Sequence, residues 1–360
     1  MEQENGYTGK IPIFHGLIYD HPNMSSHITE LVGNTPLLDL PVTSKNRWRL
    51  KLKMEKFNPG GSMKDRMARN MILQAEKDGK LVAGGTIIES SSGNTAIGLA
   101  MTAAERGYRF IAVVDHHASK GKIALIQAYG AEVRFIDSSR YAEDEVAVRE
   151  REILAEKLSR DIPNAVFMQQ ADNSANAEAY YQTLGNELIE QTRGDITALI
   201  GSVGTGGSLC GTARRLKEYN HRIEVIGVEP KGSVIFGPPA HAYYQSGTGS
   251  PGNVSIGKNV RYDLIDKGEK VGDAEAFLMA RALARKRGIL IGGAAGGVLY
   301  IALKHLAQKT GEGVMVAIMA EGGEQCLATV HDDTWMQEKG FLNQDTQEEI
   351  DILLTKPESV

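Results

Sequence analysis

The chain has 360 residues, 42% hydrophobic and 24% charged, with a formal net charge of −5. That length suits two lobes of roughly 100–200 residues each, and the mild charge argues against a general nucleic-acid binder or an anionic-membrane partner. The two cysteines, Cys210 and Cys326, form no CxxC pair, so no disulfide framework or zinc knuckle is expected and a reducing, cytoplasmic setting is the natural reading.

Residues 1–26 have no basic segment followed by an apolar run, so they read as a poorly packed extension rather than a secretory leader. No apolar run reaches the roughly 18 residues needed to span a bilayer. Residues 86–89 (TIIE), 110–114 (FIAVV) and 133–136 read as strands, with helical periodicity over 95–106, 121–129 and 143–159. A second set follows. Strands are expected at 198–203, 225–229 and 314–319, and helices at 209–218, 274–286 and 298–306. Strands alternating with helices imply parallel βαβ units. The Gly-, Pro- and Ser-rich stretch 232–258 reads as an ordered loop near a site or a flap, and 343–360 as a poorly packed extension.

Three glycine-rich segments fall at expected helix starts. Backbone N–H groups there are free and the helix dipole favours anions. The first (NPGGSMKDR) places Lys64 behind a Gly-Gly turn. A partly desolvated lysine there would be available for covalent chemistry, and the plain alternative is a solvated loop lysine. In the second, Ser91, Ser92, Gly93, Asn94 and Thr95 follow a strand and could hold a carboxylate, or serve only as an N-cap. In the third, Gly204, Thr205, Gly206, Gly207 and Ser208 could cradle a phosphate. That segment has neither P-loop spacing nor a complete dinucleotide fingerprint. Adjacent His116 and His117 could suggest a metal, but neighbouring side chains diverge, and none is expected.

In this order and spacing, the segments resemble the fold type II pyridoxal-phosphate (PLP) enzymes of the tryptophan synthase β-like class. The likeness is to cysteine synthase and the catalytic core of cystathionine β-synthase in particular. It runs from ITELVGNTPL at 28–37 to WMQEKGFL at 335–342. The resemblance implies an α/β architecture of two open lobes with PLP between them. Residues 58–171 would form a smaller mobile lobe, with 1–57 and 172–360 as the larger lobe. It implies Lys64 as the Schiff-base lysine and proton carrier, Asn94 on the cofactor ring hydroxyl and Gly204–Ser208 as the phosphate cup. Gly257 would close over the cofactor. Ser91, Ser92, Gly93 and Thr95, with Gln170, would form the substrate-carboxylate site. The implied reaction is β-replacement on O-acetylserine, O-phosphoserine or serine through an α-aminoacrylate, in a homodimer. β-Elimination and a non-catalytic scaffold are the alternatives.

Two departures from the family pattern stand out. Ala294, in GGAAG, occupies the position where the family usually sets a serine against the pyridine nitrogen. Glu321, in MAEGG, is the expected replacement at the cofactor, against the plain reading of a solvated loop residue. The segments at 231–237 and 256–259 are similar to the siderophore-pathway branch that makes 2,3-diaminopropionate precursors from O-phosphoserine and glutamate. There Lys258 is expected to add positive charge near the substrate. The cysteine and histidine ligands of haem-binding cystathionine β-synthases are not found in the N-terminal segment, and no tandem regulatory module is expected.

Overall fold

The computed structural model describes residues 25–42, 47–137 and 147–355. Its strands, in chain order, are β1 (Leu37–Asp39), β2 (Arg47–Met54), β3 (Thr86–Ser90), β4 (Arg109–Val114), β5 (Glu132–Phe135), β6 (Ala165–Phe167), β7 (Ile196–Ser202), β8 (Glu224–Pro230), β9 (Lys267–Val271) and β10 (Glu312–Met319). They form a four-stranded sheet, β5-β4-β3-β6, and a six-stranded sheet, β1-β2-β10-β7-β8-β9. All recorded pairings are parallel except β1 with β2. The buried runs in β3, β4 and β7 suit strands covered on both faces by crossover helices.

The larger sheet joins distant parts of the chain. β2 pairs with β10 along its whole length, from Arg47 opposite Glu312 to Met54 opposite Met319. One continuous core joins the two sheets. Ile87, Leu99 and Met67 of the smaller sheet and its helices share it with Leu199, Val316 and Leu188 of the larger. A second core, with Leu52, Phe277 and Leu299, fills the far side of the larger sheet.

The helix Lys64–Lys77 is anchored at its start by a buried ionic network. Arg66 Nε and Nη2 donate to the Glu55 carboxylate at 2.7 Å each, and Nη1 donates to Glu187 at 2.6 Å. Lys53 Nζ donates to the other Glu187 oxygen at 2.6 Å and to the Thr35 carbonyl at 2.7 Å. Lys53, between Leu52 and Met54 of β2, is fully buried because these partners replace its water.

One expectation is corrected here. The C-terminal segment is not a poorly packed extension. Gln344–Leu353 is a helix capped by Asn343, whose side chain accepts from Thr346 N. Its Ile350 is 0% exposed and belongs to the second core. The reason is a short apolar stripe docking on the Asp273–Arg287 helix, where Arg287 also donates to the Leu354 carbonyl at 2.7 Å. The long amphipathic helix runs Val148–Asp161. Residues 143–146 of its expected start lie outside the described residues, as do residues 1–24 of the N-terminal extension.

The stretch 232–258 is ordered around Glu229. That carboxylate accepts the Ile235 and Phe236 N–H groups at 2.9 Å each and the Ser233 hydroxyl. Part of this stretch, from Ala240 to Asn253, walls the large cleft.

Candidate active site

A cleft of about 1010 Å³ is lined by Lys64, the Ser91–Thr95 loop and Gln170. Ser202, Gly204, Thr205, Ala294 and Glu321 also line it. It lies at the carboxyl ends of β3, β7 and β10, where open α/β sheets bind ligands.

Lys64 is the first residue of its helix. The turn before it is held by Asp65, whose Oδ2 accepts Gly60 N–H at 2.6 Å. A Cβ on Gly60 would sit 2.5 Å from Asp65 Oδ1, so glycine is required there. The turn is stitched to the loop after β10 through Met63 N–H on the Ala320 carbonyl, 2.8 Å, and a bridge between Ser62 and Glu321. Lys64 is 9% exposed. Burial lowers its amine to about pKa 8, against the opposing pull of the Glu321 carboxylate. A substantial neutral fraction near physiological pH makes it a nucleophile and base.

The Asn94–Arg106 helix begins at the cleft, with Gly93 as its N-cap. Thr95 Oγ1 donates to Gln170 Oε1 at 2.7 Å, closing a ring between that helix start and the segment after β6. Asn94 Nδ2 donates to Glu321, while its Oδ1 is buried without a partner. An unpartnered buried acceptor is costly, and its position marks a ligand donor's place.

Glu89 braces this arrangement from below. Its two oxygens accept Ser90 N–H at 2.9 Å and Gln170 N–H at 3.2 Å. Burial raises its carboxyl to about pKa 8 despite these bonds. Between the unfolded value of about 4.5 and 8, the native protein therefore holds the extra proton. Its contribution to stability then falls as pH rises through that window, by up to about 1.4 kcal/mol per pH unit. Glu89→Gln should lose one accepted bond, at a cost of about 1–3 kcal/mol, and remove this slope. Denaturant unfolding across the window should show wild type losing its advantage over the variant as pH rises. A difference constant with pH would show that Glu89 ionises normally.

The third segment starts the Gly207–Tyr219 helix after β7. Gly204 and Thr205 face the cleft. Gly206 has φ 85°, and a Cβ on it would lie 2.6 Å from Val260 N, while one on Gly207 would lie 2.1 Å from Asn176 Oδ1. Asn176 Nδ2 also holds Thr205 Oγ1 at 3.1 Å. Ser208 is buried in the first turn. The result is a glycine turn with close backbone packing at a helix N-terminus of the kind that receives phosphate.

The structure does not bring Gly257 or Lys258 to the cleft. Asn259 donates to the carbonyls of Ala171 and Asn173 at 2.9 and 3.1 Å, pinning this turn against that strap. Gly257 packs on Ala171, and Lys258 points outward. Lys258 is near Asp172 at 3.9 Å and its side chain is 81% exposed. It lines a separate surface cavity with Arg214 and Arg261. Sequence adjacency to Gly257 carried no information about that direction.

Ala294 and Glu321 both reach the cleft, on the first turn of the Gly293–Gln308 helix and after β10. Glu321 is 5% exposed rather than solvated. Sequence reasoning missed Ser202, Lys122, Arg151 and Asp115, while the 240–253 wall falls within the stretch 232–258 expected near a site. Of these four, only Ser202, two positions before the expected glycine loop, carried any sequence signal.

PLP fits this set of residues. A buried amine of lowered pKa, a glycine-lined helix N-terminus and an orphaned Asn94 acceptor share one cleft. The chain matches the family model described as pyridoxal-phosphate dependent enzyme over residues 28–321. It is 49% identical to a Sinorhizobium fredii protein described as "Putative cysteine synthase", over 316 residues that cover 88% of this chain and 93% of that protein. It is 36% identical to cystathionine β-synthase of Oryctolagus cuniculus over 345 residues, 93% of this chain but 61% of the length of that relative. The crystal structure of cysteine synthase from Entamoeba histolytica matches with a TM-score of 0.82 at 28% identity, covering 94% of this chain and 98% of that one. The chain therefore belongs to the fold type II pyridoxal-phosphate dependent enzymes, in the cysteine synthase and cystathionine β-synthase group of β-replacement enzymes.

Proposed function

We propose that this enzyme replaces the β-substituent of an O-activated L-serine, or of serine itself, with a sulfur or amine nucleophile. The observation that carries this reading is the desolvated Lys64 amine facing the Ser91–Thr95 loop across one cleft.

The cleft geometry supports the following roles. The N-terminus of the Asn94–Arg106 helix, the Ser91 and Ser92 hydroxyls and Gln170 receive the substrate carboxylate. Gly204–Ser208 hold the cofactor phosphate, and Asn94 pairs with the cofactor through its unspent Oδ1. Lys64, neutral in part near pH 8, accepts the α-proton and returns it at the end of the cycle. When bound, PLP supplies an electron sink for the α-carbon. Glu321 and Ala294 line the same cleft, and a carboxylate near the ring nitrogen of bound PLP would favour its protonated form.

In this reading residues 58–171 close on the substrate and exclude water. A homodimer is supported by the exposed apolar side chains of Ile28, Leu31 and Phe57, and a cytoplasmic setting by two free, buried cysteines. No helix among the described residues is long and apolar enough to cross a membrane.

The Lys64 environment is directly testable on the cofactor-free protein. Amine labelling followed by mass spectrometry should give Lys64 a half-maximal rate near pH 8, well below that of surface lysines. A Lys64 profile indistinguishable from surface lysines would remove the basis for its role. The reaction class is tested by product analysis. Pyruvate and ammonia released at the full rate without a nucleophile would mark an elimination enzyme instead.

A further inference from the structure

The cleft is larger than the carboxylate loop and the lysine require. Past Ser91 and Ser92 it continues to a wall made by Asp115 and His117 after β4, Lys122 on the Lys120–Ala128 helix, and Val148 and Arg151 on the Val148–Asp161 helix. Residues of the 240–253 segment line the same cleft.

This wall carries two cations and one carboxylate. Lys122 is 7% exposed, and among the described residues it makes no ion pair. Arg151 has a side chain 11% exposed, and its Nε lies 3.4 Å from Asp115 Oδ2. The two form an ion pair without a hydrogen bond, so the buried Arg151 Nε keeps an unused N–H and Asp115 Oδ2 accepts none. Asp115 is partly engaged elsewhere, since its Oδ1 accepts His117 N–H at 3.1 Å. The one carboxylate of this wall thus pairs with Arg151, and Lys122 is left without an ion pair among the described residues. Buried cations of this kind are expensive unless an anion completes them.

We propose that Lys122 and Arg151 form a subsite for a second anionic group, distinct from the α-carboxylate and carried on the β-side of the reaction. The ligand class is a phosphoryl or carboxylate group, borne by the leaving group or by the incoming nucleophile. The proposal rests on the β-replacement reading. It narrows the substrate to one with a fixed negative charge beyond Cβ. Arg151 supplies directional donors for an oxyanion and Lys122 a compact point charge.

The test uses holoenzyme and the variants Lys122→Gln and Arg151→Gln, with retention of the cofactor band and unfolding temperature as the fold check. For the leaving group, the cofactor band is titrated with O-phosphoserine and O-acetylserine, and the ratio of their Kd values is compared. For the nucleophile, KM is compared for glutamate and for an uncharged amine with the same co-substrate. In one of these arms each variant should weaken the anionic ligand about 10- to 100-fold relative to its neutral counterpart, the range of a lost charge-assisted hydrogen bond. The affected arm identifies the source of the charge. Equal losses for charged and neutral ligands in both arms would show a structural role and overturn the subsite. If no serine derivative shifts the wild-type band, the β-replacement reading fails. The subsite is then judged alone by calorimetry with inorganic phosphate and glutarate. Binding that Arg151→Gln weakens supports it, and no binding, or binding equal in both proteins, refutes it.

Discussion

Replacing Lys64 by alanine should lower kcat/KM by about 10⁴-fold, the upper range for loss of a positioned acid–base group, and remove the visible band of the lysine-linked cofactor. The size of the effect follows from what Lys64 combines. On the proposed reading it is the residue that attaches the cofactor, and its amine, lowered by burial to about 8, moves the α-proton. Lys64→Arg separates charge from proton transfer. It keeps a cation opposite Glu321, but guanidinium does not deprotonate in proteins. It should therefore be as inactive as alanine while the glycine cup still binds the cofactor phosphate. Steady-state assays and absorbance spectra on both variants check this. Turnover within about tenfold of wild type in either variant would refute the assignment.

Arg66→Ala should be the most destabilising single change near the site, at about 3–5 kcal/mol, the usual cost of breaking a buried ion pair. The wild-type guanidinium spans Glu55 and Glu187, with side-chain exposures of 1%, 0% and 10% for Arg66, Glu55 and Glu187. Its removal strands two carboxylates in the interior, with Lys53 compensating only Glu187 directly. Burial pushes the Glu187 carboxyl up, but Arg66 and Lys53 outweigh it and hold it at about pKa 2. The sign follows from that depression. The stabilisation is complete above the unfolded value of about 4.5 and drains away as pH falls toward 2. Denaturant midpoints for wild type and Arg66→Ala should therefore differ most near neutrality and converge in acid. A loss below about 1 kcal/mol at pH 7, typical of surface pairs, would show that the network is not a structural anchor.

The parts of this molecule that were legible in the sequence share a physical reason. Asn94 and Gly204–Thr205 sit where an apolar strand gives way to glycine and then a helix, Lys64 sits just after a Gly-Gly turn at a helix start, and local chain chemistry determines that geometry. The strands β3, β4, β7, β8 and β10 were readable because burial on both faces leaves continuous apolar runs. β2 was not, because RWRLKLKM alternates charge with leucine and its buried Lys53 is paid for by partners far along the chain. β9 (KGEKV) is an edge strand whose charged residues conceal it. The Lys122 and Arg151 wall was illegible for another reason. Its two cations come from different helices, and only tertiary packing turns both toward one cleft. Lys258 shows the converse, since a residue next to a family glycine can still face solvent.

The most direct test of the central claim is an absorbance titration of the purified holoenzyme with O-acetylserine, O-phosphoserine, serine and cysteine, each added separately. The account requires a visible lysine-linked cofactor band that is replaced by a new band with at least one of the O-substituted serines and restored when a nucleophile is supplied. A protein that shows no cofactor band after reconstitution with PLP, or a band that none of these amino acids displaces, would contradict it.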